Sequence, residues 1–250
     1  MSTVFAHQAM KKCKFNWVMA GIVLLSQSYS ALANKPPTTL GTCAAQLSAA
    51  PLNLNSLFLL GDSITNVSSF KKNIRASIKA RNMTYTGQKT VSGIGIGQAI
   101  DLLNNEIDHS AIIASDILYT ELGVNNWGQA ISNIASVKVL VDTLITNVKA
   151  INSDILILWQ EPYGHSTLVS NPNIALGATL VAEYLRSKDA AGDICLIPWS
   201  DLAAADPTAY TTVTQPDGVH IWGNESAYQE IAFDYIDSLR GKYPFNHTIK

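Results

Sequence analysis

The sequence predicts a three-layer α/β domain, a five-stranded parallel sheet with helices on both faces. Short apolar runs alternate five times with longer segments of helical spacing. Parallel neighbours need crossover connections, and those crossovers cover the sheet. The composition agrees: 250 residues with 47% hydrophobic and 14% charged side chains suit one large, well-filled core and are too apolar for a disordered chain. No internal repeat, low-complexity tract or second core interrupts the alternation.

The elements follow in order. Leu57 to Leu60 is the first strand, followed by helical spacing from Phe70 to Ile78. Thr84 to Val91 and Ile100 to Ile107 form the second pair, and Ile117 to Leu122 is the third strand. The helix from Ile131 to Ile151 is the clearest, because Ile131, Ile134, Val137, Val141, Leu144, Ile145, Val148 and Ile151 recur at steps of three and four. Ile155 to Trp159 reads as a buried strand, Leu176 to Ser187 as a helix, Ile194 to Trp199 as the last strand and Glu225 to Leu239 as the last helix.

The start of the chain is of another kind. Lys11, Lys12 and Lys14 precede the apolar run Trp17 to Leu25, and Ala31-Leu32-Ala33 supplies small residues where a signal peptidase cuts. Residues 1–33 therefore read as a secretory signal cleaved after Ala33, with Met10 the better initiator and residues 1–9 outside the working sequence. The apolar run is about half of the roughly 20 residues needed to span a bilayer, so no stable membrane insertion is expected after cleavage. The exported, periplasmic or extracellular chain then comprises a lead-in at 34–55 and one domain at 56–250. Removing the signal takes three lysines and no acidic residue, leaving 14 basic against 19 acidic side chains. A mildly acidic protein without clustered Lys and Arg is not built for nucleic acid. Cys43 and Cys195 remain, and one bridge is open to them in an oxidising compartment if their Cα atoms fall within reach.

In doubly wound sheets the ligand crevice lies at the carboxyl ends of the strands, so chemistry is sought directly after each apolar run. After the first strand comes Gly61-Asp62-Ser63-Ile64-Thr65, a serine opening a helix, suited either to a nucleophile or to a plain cap. After the second comes Ser92-Gly93-Ile94-Gly95-Ile96-Gly97, and after the third Glu121-Leu122-Gly123-Val124-Asn125-Asn126. The glycines permit close backbone approach and Asn125 offers an amide donor, the parts of an oxyanion hole. The glycine spacing does not match a dinucleotide fingerprint. Before the last helix stands Pro216-Asp217-Gly218-Val219-His220, where Asp217 can aim its carboxylate at one imidazole nitrogen of His220 while the other faces the crevice.

These four blocks, in this order, resemble the GDSL-type esterase/lipase family, also called SGNH hydrolases. The resemblance runs from Leu57 to about Leu239 and implies that family's flavodoxin-like, three-layer fold. Ser63, Gly93, Asn125 and His220 match its four namesake positions, and Asp217 its triad acid. It implies a Ser63-His220-Asp217 triad and an oxyanion hole made by the N–H groups of Ser63 and Gly93 with the Asn125 amide. Gly95 is the alternative to Gly93. One departure stands out: the family's third block runs Gly-x-Asn-Asp, with the Asp supporting the loop, whereas here Asn126 takes that place.

No cofactor is expected. The histidines are scattered without metal-ligand spacing, so no metal site is expected either. Gly95, Asn126, Trp127 and His165 fall at the crevice edge and are candidate substrate contacts, and Trp159 lies near the same edge, open to stacking on substrate or to a place in the core. The implied partner is a small acyl ester or an acylated glycan or lipid, with short acyl groups favoured because the domain has few long insertions. The alternative is a secreted carbohydrate- or lipid-binding module that keeps the fold and lacks hydrolysis.

Overall fold

The computed structural model describes Cys43 and residues 51–162, 171–199, 201 and 225–242. The segment expected to be a signal at 1–33, most of the expected lead-in, His165, Asp217 and His220 lie outside the described residues. The strands are β1 (Ser56–Gly61), β2 (Thr84–Thr90), β3 (Ile117–Thr120), β4 (Leu156–Gln160) and β5 (Cys195–Ile197). The helices are α1 (Ser68–Ala80), α2 (Ile96–Asn105), the short α3 (His109–Ile113), α4 (Trp127–Ile151), α5 (Pro172–Ala191) and α6 (Glu225–Leu239). The sheet has the order β2-β1-β3-β4-β5, with every pair parallel. This is the flavodoxin-like order, and it places β1 at the switch point between β2 and β3.

The period of two along each strand explains the two cores. Leu57 and Leu59, Ile117 and Tyr119, Leu158, and Cys195 and Ile197 point to one face, where they meet Phe70, Ile74 and Ile78 of α1 and Ile231, Tyr235 and Ile236 of α6. Phe58 and Leu60, Leu118, Ile157 and Trp159, and Leu196 point to the other, against α2, α4 and α5. Buried on both faces, β1 and β3 are continuous apolar runs, whereas β2 is an edge strand of half-buried polar residues. β3 ends at Thr120, two residues before the end of its apolar run, because Glu121 leaves the ladder to accept the Asp62 N–H.

The long helix α4 begins four residues before the predicted start and is broken at Asn133, whose φ of −160° and ψ of 84° are not helical. Asn133 behaves as an N-cap for the second segment: its Oδ1 accepts the Ser136 N–H at 3.4 Å. The break takes the first turn off the predicted stripe, so Ile131 is 41% exposed, while Val137, Val141, Leu144 and Val148 are buried as expected.

Two tight features hold the frame. Gly177 of α5 lies where a Cβ would sit 2.3 Å from the backbone oxygen of Trp127, so only glycine lets α5 reach the start of α4. A Gly177→Ala variant is expected to lose about 1–3 kcal/mol by overpacking, read as a lower midpoint in denaturant. Cys43 and Cys195 are joined in a disulfide, with Cα atoms 5.1 Å apart and 152 residues apart in sequence. Cys43→Ser is expected to cost about 2–5 kcal/mol of stability, measured by thermal melting against the oxidised parent.

Candidate active site

Three of the predicted blocks meet at one rim of the sheet. β1 ends at Gly61, and the next residues fold into a tight turn: the Asp62 carbonyl accepts the Asn66 N–H at 2.9 Å and the Asp62 Oδ1 accepts the Ile64 N–H at 2.9 Å. This turn presents Ser63, half-buried, just outside the carboxyl end of the strand. Asn66 ties the turn to the second block. Its Nδ2 donates to Ser92 Oγ at 3.0 Å, and its Oδ1 accepts from Thr90 Oγ1 at 3.0 Å and from Lys71 Nζ at 2.7 Å.

In the second block the two candidate glycines part company. Gly93 is exposed, has a φ of +78° and has open space around the position of a Cβ. Gly95 is the N-cap of α2, and its N–H donates to Gln98 Oε1 at 2.9 Å, the one half of a capping box open to a residue without a side chain.

In the third block Asn125 is exposed and reaches across to both other blocks. Its Nδ2 donates to Asp62 Oδ2 at 2.7 Å and to the Ile94 carbonyl at 3.0 Å, so both amide protons are engaged. Asn126, expected among the substrate contacts, points inward instead. It is buried, with its Oδ1 accepting the Ile96 N–H at 2.9 Å and its Nδ2 donating to Gln129 Oε1 at 3.0 Å. It thus supports the loop at the N-terminus of α2, and the neutral amide finds in Gln129 an acceptor for the proton that a carboxylate would not carry. Trp127 is half-buried at the start of α4. Trp159 is core, fully buried with its Nε1 donating to the Leu122 carbonyl at 2.8 Å.

Beneath the rim lie two carboxyl groups. Asp62 is 0% exposed and Glu121 1% exposed, and Glu121 Oε1 accepts the Asp62 N–H at 3.2 Å. Burial first, and the neighbouring Asp62 charge second, push the Glu121 carboxyl well above the usual carboxylate range. Glu121 carries no periodicity or spacing signal beyond its place directly after β3, and sequence reasoning left it without a role. A second missed group closes the far side of the sheet. Arg186 of α5 donates through Nε to Glu161 Oε1 at 2.7 Å and through a guanidinium nitrogen to Asp201 Oδ2 at 2.7 Å. It links the end of β4 to the start of the segment that carries Asp217 and His220 in the sequence.

The opposite edge of the sheet is differently made. A cavity of about 520 Å³ opens there beside Asn53, Asp116, Lys149 and Asn152. Its polar groups brace loops: Lys149 Nζ donates to the Ile155 carbonyl at 2.6 Å, and Asp116 Oδ2 accepts from the Asn55 N–H at 2.6 Å and the Ser56 hydroxyl at 2.9 Å. Among the described residues no group of three or more His, Cys, Asp or Glu side chains is placed to hold a metal ion, and no helix is long and apolar enough to cross a membrane.

No family model matches the chain, and no curated protein matches it. Solved structures do. A lipase/acylhydrolase of Enterococcus faecalis superposes with a TM-score of 0.59 at 16% identity, covering 78% of this chain and 100% of that one. A family 3 carbohydrate esterase of Clostridium thermocellum gives 0.56 at 16% identity, covering 75% and 98%. A GDSL-like lipase of Bacteroides thetaiotaomicron gives 0.52 at 14% identity, covering 80% and 96%. At these identities the likeness is one of architecture: the chain has the five-stranded α/β fold of GDSL-type lipases, acylhydrolases and esterases.

Proposed function

We propose that this protein is a secreted serine ester hydrolase of the GDSL type that cleaves short acyl esters. The reading rests on one observation above all. The Ser63 turn, the Gly93 loop and Asn125 meet at the switch point of the sheet, joined by the 2.7 Å contact from Asn125 to Asp62 and the 3.0 Å contact from Asn66 to Ser92. A crevice at that point is where doubly wound sheets bind their ligands. In the proposed mechanism His220, oriented by Asp217, takes the proton of the Ser63 hydroxyl. The oxygen attacks the ester carbonyl, the alcohol leaves with that proton, and water releases the acyl group by the reverse path.

The oxyanion would be held by the N–H groups of Ser63 and Gly93 and by the Asn125 amide. The engagement of the Gly95 N–H by Gln98 favours Gly93 for this role. Asn125 would keep its bond to Asp62 and exchange the one to the Ile94 carbonyl for the substrate oxygen. The carbohydrate esterase and lipase names of the structural neighbours agree with an acylated glycan or lipid as substrate class, with acetyl and other short chains first.

A second reading, a carbohydrate- or lipid-binding module, draws support from the same engagement of both Asn125 amide protons. A fluorophosphonate probe separates the two. Covalent labelling at Ser63 is the expected outcome of the hydrolase, and an unlabelled, correctly folded protein favours the module. Initial rates across p-nitrophenyl esters from acetyl to palmitoyl, with acetate release from acetylated glycans, then fix the acyl range. A steep fall beyond butyryl is expected.

A further inference from the structure

Glu121 is a buried ionisable group at the rim that the proposed mechanism does not use. Its Oε1 accepts the Asp62 N–H at 3.2 Å, and its Oε2 is buried without a hydrogen-bond partner. Among the described residues no ion pair engages it. Asp62, equally buried, has donors for both oxygens: the Ile64 N–H on Oδ1 and the Asn125 amide on Oδ2. Two buried carboxyl groups in one enclosure do not both ionise, because each charge raises the cost of the other. The one supplied with N–H donors keeps the charge and the other keeps the proton. The Asp62 charge is therefore the acceptor that fixes Asn125, and anything that moves Asp62 moves the amide.

We propose that Glu121 is a positioning residue of the candidate site, a neutral carboxylic acid that holds Asp62 by its N–H and so keeps the Asp62–Asn125 contact in register with Ser63. This inference rests on the hydrolase reading for its kinetic consequence. An ionised Glu121 would set a second charge against Asp62, and an apolar residue would leave the Asp62 N–H buried without an acceptor. A neutral side chain of the same shape with an acceptor oxygen satisfies both requirements. The site thus discriminates between two substitutions of similar size.

The test compares Glu121→Gln and Glu121→Met in the full mature protein on p-nitrophenyl acetate. Glu121→Gln keeps the acceptor and is neutral, so it is expected to retain most of the parental kcat. Glu121→Met lacks the acceptor and is expected to lose about 10- to 100-fold in kcat with KM little changed, the scale of leaving one buried donor without an acceptor. Infrared spectra of the protein labelled with ¹³C-glutamate supply a second readout that survives a misfolded Met variant. A protonated-carboxyl carbonyl band present at neutral pH in the parent and absent in Glu121→Gln is expected. Parental kcat in Glu121→Met, equal losses in both variants, or no such band in the parent would each overturn the proposal. If the parent hydrolyses no ester and Ser63 resists the fluorophosphonate, the hydrolase reading fails, and the infrared band still reports on Glu121.

Discussion

Replacing Ser63 by Ala is expected to lower kcat on short p-nitrophenyl esters by about 10⁶-fold, the scale of removing the serine from a catalytic triad. The size of the loss follows from the chemistry: without the hydroxyl there is no acyl-enzyme, and the remaining donors can only bind the carbonyl. Stability should change by no more than about 1 kcal/mol, because the side chain is half-buried and a hydroxyl-to-hydrogen change opens little volume. The two measurements belong together. A variant with parental melting behaviour and no turnover identifies Ser63 as the nucleophile. A variant that hydrolyses esters at the parental rate moves the nucleophile elsewhere and removes the case for a serine hydrolase.

Asn125→Ala carries the second largest expected loss, about 10²- to 10³-fold in kcat, or roughly 2.7–4 kcal/mol of transition-state stabilisation. The sequence on its own suggests a clean catalytic defect in an intact fold. The structure adds a stability cost. The Asn125 amide bonds Asp62 Oδ2 and the Ile94 carbonyl, so truncation leaves two acceptors to find other donors, one of them a buried carboxylate. A loss of about 1–3 kcal/mol in denaturant unfolding is expected beside the kinetic one. Asn125→Asp should be the more damaging to the fold, because it places a third carboxyl group beside Asp62 and Glu121. If Asn125→Ala turned over at the parental rate, the oxyanion would have to be held by backbone donors alone.

Four of the strands were legible because their cause is local: each is an apolar run closed by glycine or polar residues. β2, polar and at the edge, was placed by the alternation with helical spacers, and the strand order by the family resemblance. The three blocks at the rim were legible for a related reason, since each directly follows a strand. What escaped was whatever depends on two distant segments at once. The break at Asn133 is masked by a stripe that runs through it, because the capping bond to Ser136 competes with the helix without disturbing the periodicity. Asn126 looked like a crevice residue and is a support, since nothing in its own segment tells that Ile96 and Gln129 will bracket it. Glu121 and Asp62 lie 59 residues apart, and only the pairing of β1 with β3 brings one beneath the other.

The bond between Cys43 and Cys195 joins the lead-in to the last of the described strands. A thiol made early must wait for a partner that is synthesised 152 residues later. Among the described residues β5 pairs with β4 at one edge of the sheet, so the covalent link fastens the lead-in to that edge strand. A chain truncated before β5 would lack Cys195 and leave the thiol of Cys43 available to other partners.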